Sequence, residues 1–311
     1  MPRQIRIGTR SSPMAVHQAE QVSAGLLAHD PDLDIELVKI TTSGDMWLGD
    51  LAKLGGKGAF VREIDRALLD DQIDLAVHCL KDIPGDVPPP AGTVLAAYLA
   101  REDIRDAALT RTGAALAELP EGAVVGTSSV RRGAQLRLRF PHLAIAPLRG
   151  NANTRLVRLD EGHFDAIVLA MSGLHRLGLT DRVTEILPLD VMCPPIGAGI
   201  VVLQCRTTDE HLRALAAHLA DADATQHAIA ERTMLHTLQG HCNSPIAGYA
   251  STEPHGALSL RAMVFSLDGR QWHDAHEWGT AEDPAALGVS VGAALLRKGA
   301  RNLIDRAAAE S

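Results

Sequence analysis

Between Thr127 and Leu159 the chain carries seven arginines (Arg131, Arg132, Arg137, Arg139, Arg149, Arg155 and Arg158) and no Asp or Glu, although its formal net charge is −8. Guanidinium forks match carboxylates and phosphates, so this stretch has the chemistry of a polyanion site. Arg137, Arg139 and Arg158 read as a solvated helix face. Arg131 and Arg132, directly after Ser128-Ser129, and Arg149 in Leu-Arg-Gly-Asn read as loop-edge residues, where open α/β sheets place ligands. Two loops share one design: Gly8-Thr9-Arg10-Ser11-Ser12 and Gly126-Thr127-Ser128-Ser129 each follow a short β-branched segment and precede a helical pattern. Their serines stand where helix N-caps belong. One such loop alone is ordinary capping. Two parallel copies, each beside arginine, are expected to form paired anion sites facing each other.

Lys81-Asp82 follows the apolar run Ile73–His78 and precedes Ile83-Pro84. An Asp at a strand end is commonly a turn residue. At the mouth of one lobe, facing the arginines of another, its carboxylate can stabilise a cation or exchange protons with a leaving amine. Gly55-Gly56-Lys57-Gly58, followed by Phe60, lacks the spacing and the Lys-Ser/Thr ending of a phosphate-binding P-loop and reads as a lid or turn. Cys242 lies in Gly240-His-Cys-Asn-Ser-Pro, an exposed setting in which a thiol can form a covalent link. The pairs His78-Cys79 and His241-Cys242 do not have zinc-ligand spacing, so no metal is expected.

Strand and helix patterns that must position these residues alternate along the chain. Glu36–Ile40 and Ile73–His78 read as strands flanking a helix over Val61–Leu69. Ala144–Pro147 and Ala166–Ala170 read as strands flanking a helix over Asn153–Glu161. The pattern is α/β, with parallel or mixed sheets covered by helices. Pro88-Pro89-Pro90 is a surface turn. Crossings near Arg101–Asp106 and Cys193–Gly199 are expected to be hinge strands between two lobes. The last ninety or so residues are α+β: a helix near Ala224–Leu238, strands joined at the Asp268-Gly269 hairpin signal, and a terminal helix over Pro284–Ala308.

The chain has 311 residues, 46% hydrophobic and 22% charged, which suits several packed domains rather than disorder. Aromatics at 3% argue against a base-stacking platform, and 30 basic against 38 acidic side chains argue against a nucleic-acid binder. No apolar run reaches a membrane span, and the first residues lack the apolar stretch of a signal peptide. Four scattered cysteines without a CxxC indicate neither a disulfide scaffold nor a zinc ribbon. The expectation is a soluble, cytoplasmic, monomeric protein that binds neither nucleic acid nor membrane.

Taken together and in order, the motifs resemble the porphobilinogen deaminase (hydroxymethylbilane synthase) family over nearly the whole chain. They are Gly8-Thr-Arg-Ser-Ser-Pro, Ser43-Gly-Asp, Leu51-Ala-Lys-Leu-Gly-Gly-Lys-Gly-Ala-Phe-Val and Asp74-Leu-Ala-Val-His-Cys-Leu-Lys-Asp-Ile-Pro. Arg101-Glu-Asp, Gly126-Thr-Ser-Ser-Val-Arg-Arg, Leu148-Arg-Gly-Asn, Asn153-Thr-Arg-Leu, Glu231-Arg232 and the Cys242 loop complete the set. The resemblance implies two periplasmic-binding-protein-like α/β lobes with a hinge (1–100 with 199–219, and 104–194) and a C-terminal α+β domain (222–311). It implies a dipyrromethane cofactor held covalently by Cys242, and stepwise condensation of four porphobilinogen molecules, each losing ammonia, before hydrolytic release of hydroxymethylbilane. Asp82, Lys81, Arg10, Arg149 and Arg155 would be catalytic. Ser12, Lys81, Asp82, Thr127, Ser128, Ser129, Arg131, Arg132, Arg149 and Gly150 would hold the cofactor, and Lys53, Lys57 and Phe60 would form the lid. The electrophile left by loss of ammonia is an azafulvene, and Asp82 would stabilise the cationic pyrrole that follows.

The sequence departs from the family pattern at four places. Cys79 replaces a serine, Ala198 a glutamine between two glycines, His241 a glycine beside the attachment cysteine, and Gln204 a glutamate. Two other readings are a solute-binding protein, which needs neither Asp82 nor the cysteine loop, and a divergent paralogue that binds tetrapyrroles or a related pyrrole without full activity. Porphobilinogen consumption with ammonia release separates the latter from an active enzyme.

Overall fold

The computed structural model describes residues 4–47, 58–240 and 244–310. β1 (Gln4–Arg10) buries Ile5 and Ile7 on one face, as period-two alternation dictates. β2 (Asp34–Ile40) and β3 (Leu75–Cys79) are joined to it through α1 (Pro13–His29), α2 (Ser43–Met46) and α3 (Arg62–Leu69), and both pair with β1 in parallel. The strand starts at Leu75 rather than at Ile73 because Ile73 lies in the preceding turn, with its side chain fully buried over Gly8. After β4 (Thr93–Tyr98) the chain crosses into a second sheet.

That sheet contains β5 (Asp106–Thr110), β6 (Val124–Gly126), β7 (Ala144–Ala146), β8 (Ala166–Ala170) and β9 (Glu185–Ile186). It is covered by α4 (Val130–Arg139), α5 (Ala152–Asp160) and α6 (Met171–Arg176). The chain then returns to the first sheet as β10 (Val201–Arg206). The strand orders are β2-β1-β3-β10-β4 and β7-β6-β8-β5-β9. Each sheet has three parallel strands followed by one antiparallel strand, β10 in the first and β5 in the second. These antiparallel strands are the two fed by the crossings, so each lobe is closed by chain arriving from the other. The crossings lie side by side: Leu99 N–H donates to Val201 O at 2.9 Å, and Glu102 N–H to Gly199 O at 2.9 Å. Gly199 has φ +74°, and a Cβ there would meet Glu102 O at 2.5 Å, so a side chain would force the crossings apart.

After α7 (Glu210–Ala217) and α8 (Ala222–Thr237), an antiparallel sheet forms from β11 (Ile246–Thr252), β12 (Leu258–Phe265) and β13 (Trp272–Gly279). The Asp268-Gly269 turn joins β12 to β13, with Gly269 at φ +73°. Met234, Leu258, Leu260, Val264, Val291 and Leu295 form its core, each worth roughly 1.5–3 kcal/mol of burial. The single terminal helix expected over Pro284–Ala308 is instead two helices, α9 (Pro284–Arg297) and α10 (Ala300–Glu310). The break is local. Lys298 N–H caps the end of α9, and Gly299 takes φ +100°, a left-handed value that turns the chain. This domain is wedged against both lobes. Ala224 and Ala228 of α8 pack with Leu80, Ile83 and Val202, and Met263 and Phe265 of β12 pack with Ala134 and Leu138 of α4. Among the described residues no helix is long and apolar enough to cross a membrane.

Candidate active site

Arg10 ends β1, and Asp82 follows β3 after one turn, so the parallel pairing of these strands brings both to one sheet end. Arg10 Nη1 donates to Asp82 Oδ2 at 3.2 Å. The rest of its fork is taken by Asp45, with Nε on Oδ2 at 3.2 Å and Nη2 on Oδ1. Asp45 is itself fixed by a capping box at the start of α2, where Thr42 Oγ1 accepts from Asp45 N–H at 3.3 Å and donates to Asp45 Oδ2 at 2.8 Å. Burial alone would push the Asp45 carboxyl up, but the hydrogen bond and charge of Arg10 hold it below its ordinary value. Burial likewise works against the Arg10 cation, and Asp45 and Asp82 more than reverse it. The Phe60 ring covers the guanidinium, its centroid 4.3 Å from Cζ. Gly44 makes room for that ring, since a Cβ there would lie 2.5 Å from Phe60 Cδ1.

Alternation along β3 sends Cys79 and His78 to opposite faces. Cys79, half-buried, meets the Gln18 amide of α1, with Sγ 3.1 Å from Nε2. His78 is buried, and its Nε2 lies 3.0 Å from Gln204 Oε1. The Gln204 amide nitrogen donates onward to Asp65 at 3.0 Å and Thr93 at 2.9 Å. Burial pushes the His78 imidazole down to about 4, assisted by the nearby Arg10 charge, while the Gln204 hydrogen bond resists. His78 is therefore neutral at pH 7.

Both Gly-Thr loops cap helices as their serines suggested. Ser12 Oγ accepts from Ala15 N–H at 3.4 Å, and Ser129 Oγ from Arg132 N–H at 3.4 Å. Thr127 Oγ1 accepts from Ser129 N–H at 3.2 Å, and Ser128 Oγ donates to Leu148 O at 2.9 Å. Arg131 and Arg132 differ from the loop-edge expectation. Because α4 begins at Val130, both fall in its first turn and are buried. Arg132 forms a two-pronged pair with Asp106 at 2.8 and 2.7 Å, and Arg131 Nη1 donates to Cys193 O at 2.6 Å. A buried cation requires a partner, and β5 supplies Asp106 at that spot. Burial raises the Asp106 carboxyl, but Arg132 and Arg131 more than reverse this, and the Lys81 charge from the facing lobe adds to their effect. Arg149 and Gly150 lie just ahead of α5. Gly150 has φ +106°, and its carbonyl accepts from Arg155 Nε at 2.8 Å. Burial and the charges of Arg132 and Arg149 push the Arg155 guanidinium down to about 10. Crowded cations of this kind favour an anion among them.

Sequence reasoning did not single out Asp45, Gln18, Asp106 or the role of Glu231. Glu231, on α8 and fully buried, accepts from Arg101 Nη1 at 2.6 Å, Gly197 N–H at 2.6 Å and Ala250 N–H at 2.8 Å. Arg101 Nε also donates to Ala198 O at 2.9 Å. One carboxylate thus fastens both crossings to the C-terminal domain. Gly197, at φ +76°, abuts the catalytic turn, for a Cβ there would lie 2.8 Å from Lys81 N. The available signal was Thr42 followed by Asp45, which is a capping box; the others have no local signature. Cys242, His241, Lys53 and Lys57 lie outside the described residues. Among the described residues no group of three or more His, Cys, Asp and Glu is placed to hold a metal ion.

Residues 5–214 match the family described as "Porphobilinogen deaminase, dipyromethane cofactor binding domain", and residues 225–297 match "Porphobilinogen deaminase, C-terminal domain". The chain belongs to the porphobilinogen deaminase family. It is 55% identical to "Porphobilinogen deaminase 2" of Streptomyces coelicolor, over 98% of this chain and 97% of that protein. It is 48% identical to a porphobilinogen deaminase of Acidithiobacillus ferrooxidans, over 98% of each. A nutrient binding protein from Burkholderia cenocepacia, solved with methionine, aligns with a TM-score of 0.43 at 14% identity, over 74% of this chain and 94% of that one. In this member of the family the departures fall on structural contacts: Cys79 on Gln18, Ala198 at the hinge under Arg101, and Gln204 between His78 and Asp65.

Proposed function

We propose that the chain is a hydroxymethylbilane synthase that condenses four porphobilinogen molecules, with loss of four ammonia molecules, and releases hydroxymethylbilane by hydrolysis. The observation that carries this reading is the opposition of two kinds of site. The Arg10–Asp82 pair lies on one lobe, and the crowded Arg132, Arg149 and Arg155 lie on the other. Porphobilinogen and dipyrromethane both bear carboxylates on pyrrole rings, so each needs cations for its edges and a carboxylate for its ring N–H. The donor set fits the cofactor on the same ground, since the depressed Arg155 marks a place where an anion is favoured.

Bound through Cys242, dipyrromethane supplies a nucleophilic pyrrole carbon and acts as the primer. Arg149, Arg155, Lys81 and the loops at Ser12, Thr127, Ser128, Ser129 and Gly150 hold the carboxylates. Arg131 and Arg132, committed to Asp106, add fixed positive potential behind them. Asp82 accepts the substrate pyrrole N–H and stabilises the positive charge that develops as the aminomethyl C–N bond breaks; it then takes up the proton released when the new C–C bond forms. Arg10 orients Asp82 and keeps it ionised. Phe60, with Lys53 and Lys57 before it, belongs to a lid that excludes water. Residues 1–100 with 199–219, 104–194 and 222–311 act as three units, with the crossings as hinge. The catalytic unit is one cytoplasmic chain.

The test is the intact mass of the denatured protein beside a Cys242→Ser control, with porphobilinogen consumption and ammonia release measured in parallel. A mass excess equal to one dipyrromethane, absent from the control, together with turnover supports the reading. A bare-chain mass that persists after incubation with porphobilinogen overturns it.

A further inference from the structure

β13 pairs only with β12, so its other side is a free sheet edge. The strand reads Trp272-His-Asp-Ala-His-Glu-Trp278, which is nearly a palindrome about Ala275. The chain has only three tryptophans, and two of them stand exposed on this strand, Trp272 at 45% and Trp278 at 59%. We propose that β13 is a self-association surface, pairing antiparallel with β13 of a second copy of this chain about a two-fold axis through Ala275.

The backbone is set for that pairing. Ser266 N–H donates to Gln271 O at 2.8 Å where the hairpin closes. Alternation then turns the N–H and C=O of His273, Ala275 and Glu277 toward β12, and those of Trp272, Asp274, His276 and Trp278 toward the free edge. Lys298 Nζ reaches one of these edge groups, Asp274 O, at 2.6 Å. A carbonyl has two lone pairs, so this exposed lysine guards the edge without closing it.

Side chains select the register. Centred on Ala275, Asp274 faces His276 of the other copy, His273 faces Glu277, and Trp272 faces Trp278, each pair occurring twice by symmetry. Shifting by two residues sets Asp274 against Asp274 or His276 against His276, and shifting by one turns every side chain to the wrong face. The two tryptophans are also provided for. Trp278 already stacks on His276, with centroids 4.2 Å apart. A groove of about 380 Å³ lined by Arg270, Gln271, Trp272 and His273 lies where the second copy's Trp278 would be received. The two-fold contact closes on itself and yields a dimer, not a filament. No residue of the proposed active site lies on β13, so each copy keeps its own site.

Sedimentation velocity over a concentration series, with tryptophan emission read on the same samples, tests this. The expected result is a shift from 33.1 kDa toward twice that mass, with a blue shift as the tryptophans are covered. His276→Asp places Asp against Asp and is expected to weaken association by about tenfold. The exchange Asp274→His with His276→Asp restores the opposite pairs and is expected to restore association. Trp278→Ser is expected to weaken it. Far-UV circular dichroism and porphobilinogen turnover, unchanged in all variants, establish that folding is intact. A mass of 33.1 kDa at every concentration overturns the proposal. So does association indifferent to His276→Asp, or an exchange variant no better than the single one.

Discussion

Replacing Glu231 by Ala is expected to destabilise this protein more than most single changes. The side chain is fully buried, and Arg101, its ion-pair partner, is only 11% exposed. Removing one member of a buried pair leaves the other charge uncompensated, at about 3–5 kcal/mol. The Gly197 and Ala250 N–H groups, 2.6 and 2.8 Å from the carboxylate, would also lose their acceptor, at roughly 1 kcal/mol each as a lower bound. The expected loss is therefore about 5 kcal/mol. It should appear as a lower urea midpoint and, at roughly 2–4 °C per kcal/mol, as a fall in Tm of about 10 °C or more. Because Gly197 abuts Lys81 N, turnover should fall even at temperatures where the variant stays folded. Adding Arg101→Met to the variant removes the stranded charge and should recover part of the stability, a coupling that a double-mutant cycle measures. A loss below about 1 kcal/mol for Glu231→Ala would refute the claim that this carboxylate fastens the hinge.

Other expectations concern the site and its pH dependence. Asp82→Asn keeps the shape but not the charge, and should lower kcat about 100-fold or more with KM and the circular dichroism spectrum little changed. Gly44→Ala pushes on Phe60 and Ala59, and should cost about 1–3 kcal/mol in urea unfolding while raising KM, since Phe60 covers Arg10. His78 has a folded pKa of about 4 against 6.5 unfolded, so the unfolded chain binds its proton first. Stability should therefore fall by about 3 kcal/mol as pH drops from 6.5 to 4, and the urea midpoint of His78→Gln should be flatter across that window. Asp74 and Asp106 are held low by arginines, so their stabilisation, present above the ordinary carboxylate range, should be lost at more acid pH, where fluorescence-monitored unfolding steepens.

The sequence by itself determined the local structure. A serine before a helix caps it, Asp-Gly closes a hairpin, and alternation of apolar residues makes a strand, because each depends on atoms within a few residues. The duplicated Gly-Thr loops announced two lobes for that reason, and their sheets proved to share one strand order. Even the break at Gly299 has a local cause, although the apolar pattern running through it reads as one helix. Only the tertiary structure decided which charges meet. Arg131 and Arg132 look like open anion ligands until β5 sets Asp106 against them. Arg10 finds Asp82 across 72 residues because β1 and β3 lie side by side, and Glu231 reaches Gly197 only where α8 packs on the crossings. An ion pair's strength depends on burial and on the few ångströms separating its members. Both are properties of the packed sheets and appear nowhere in the order of residues.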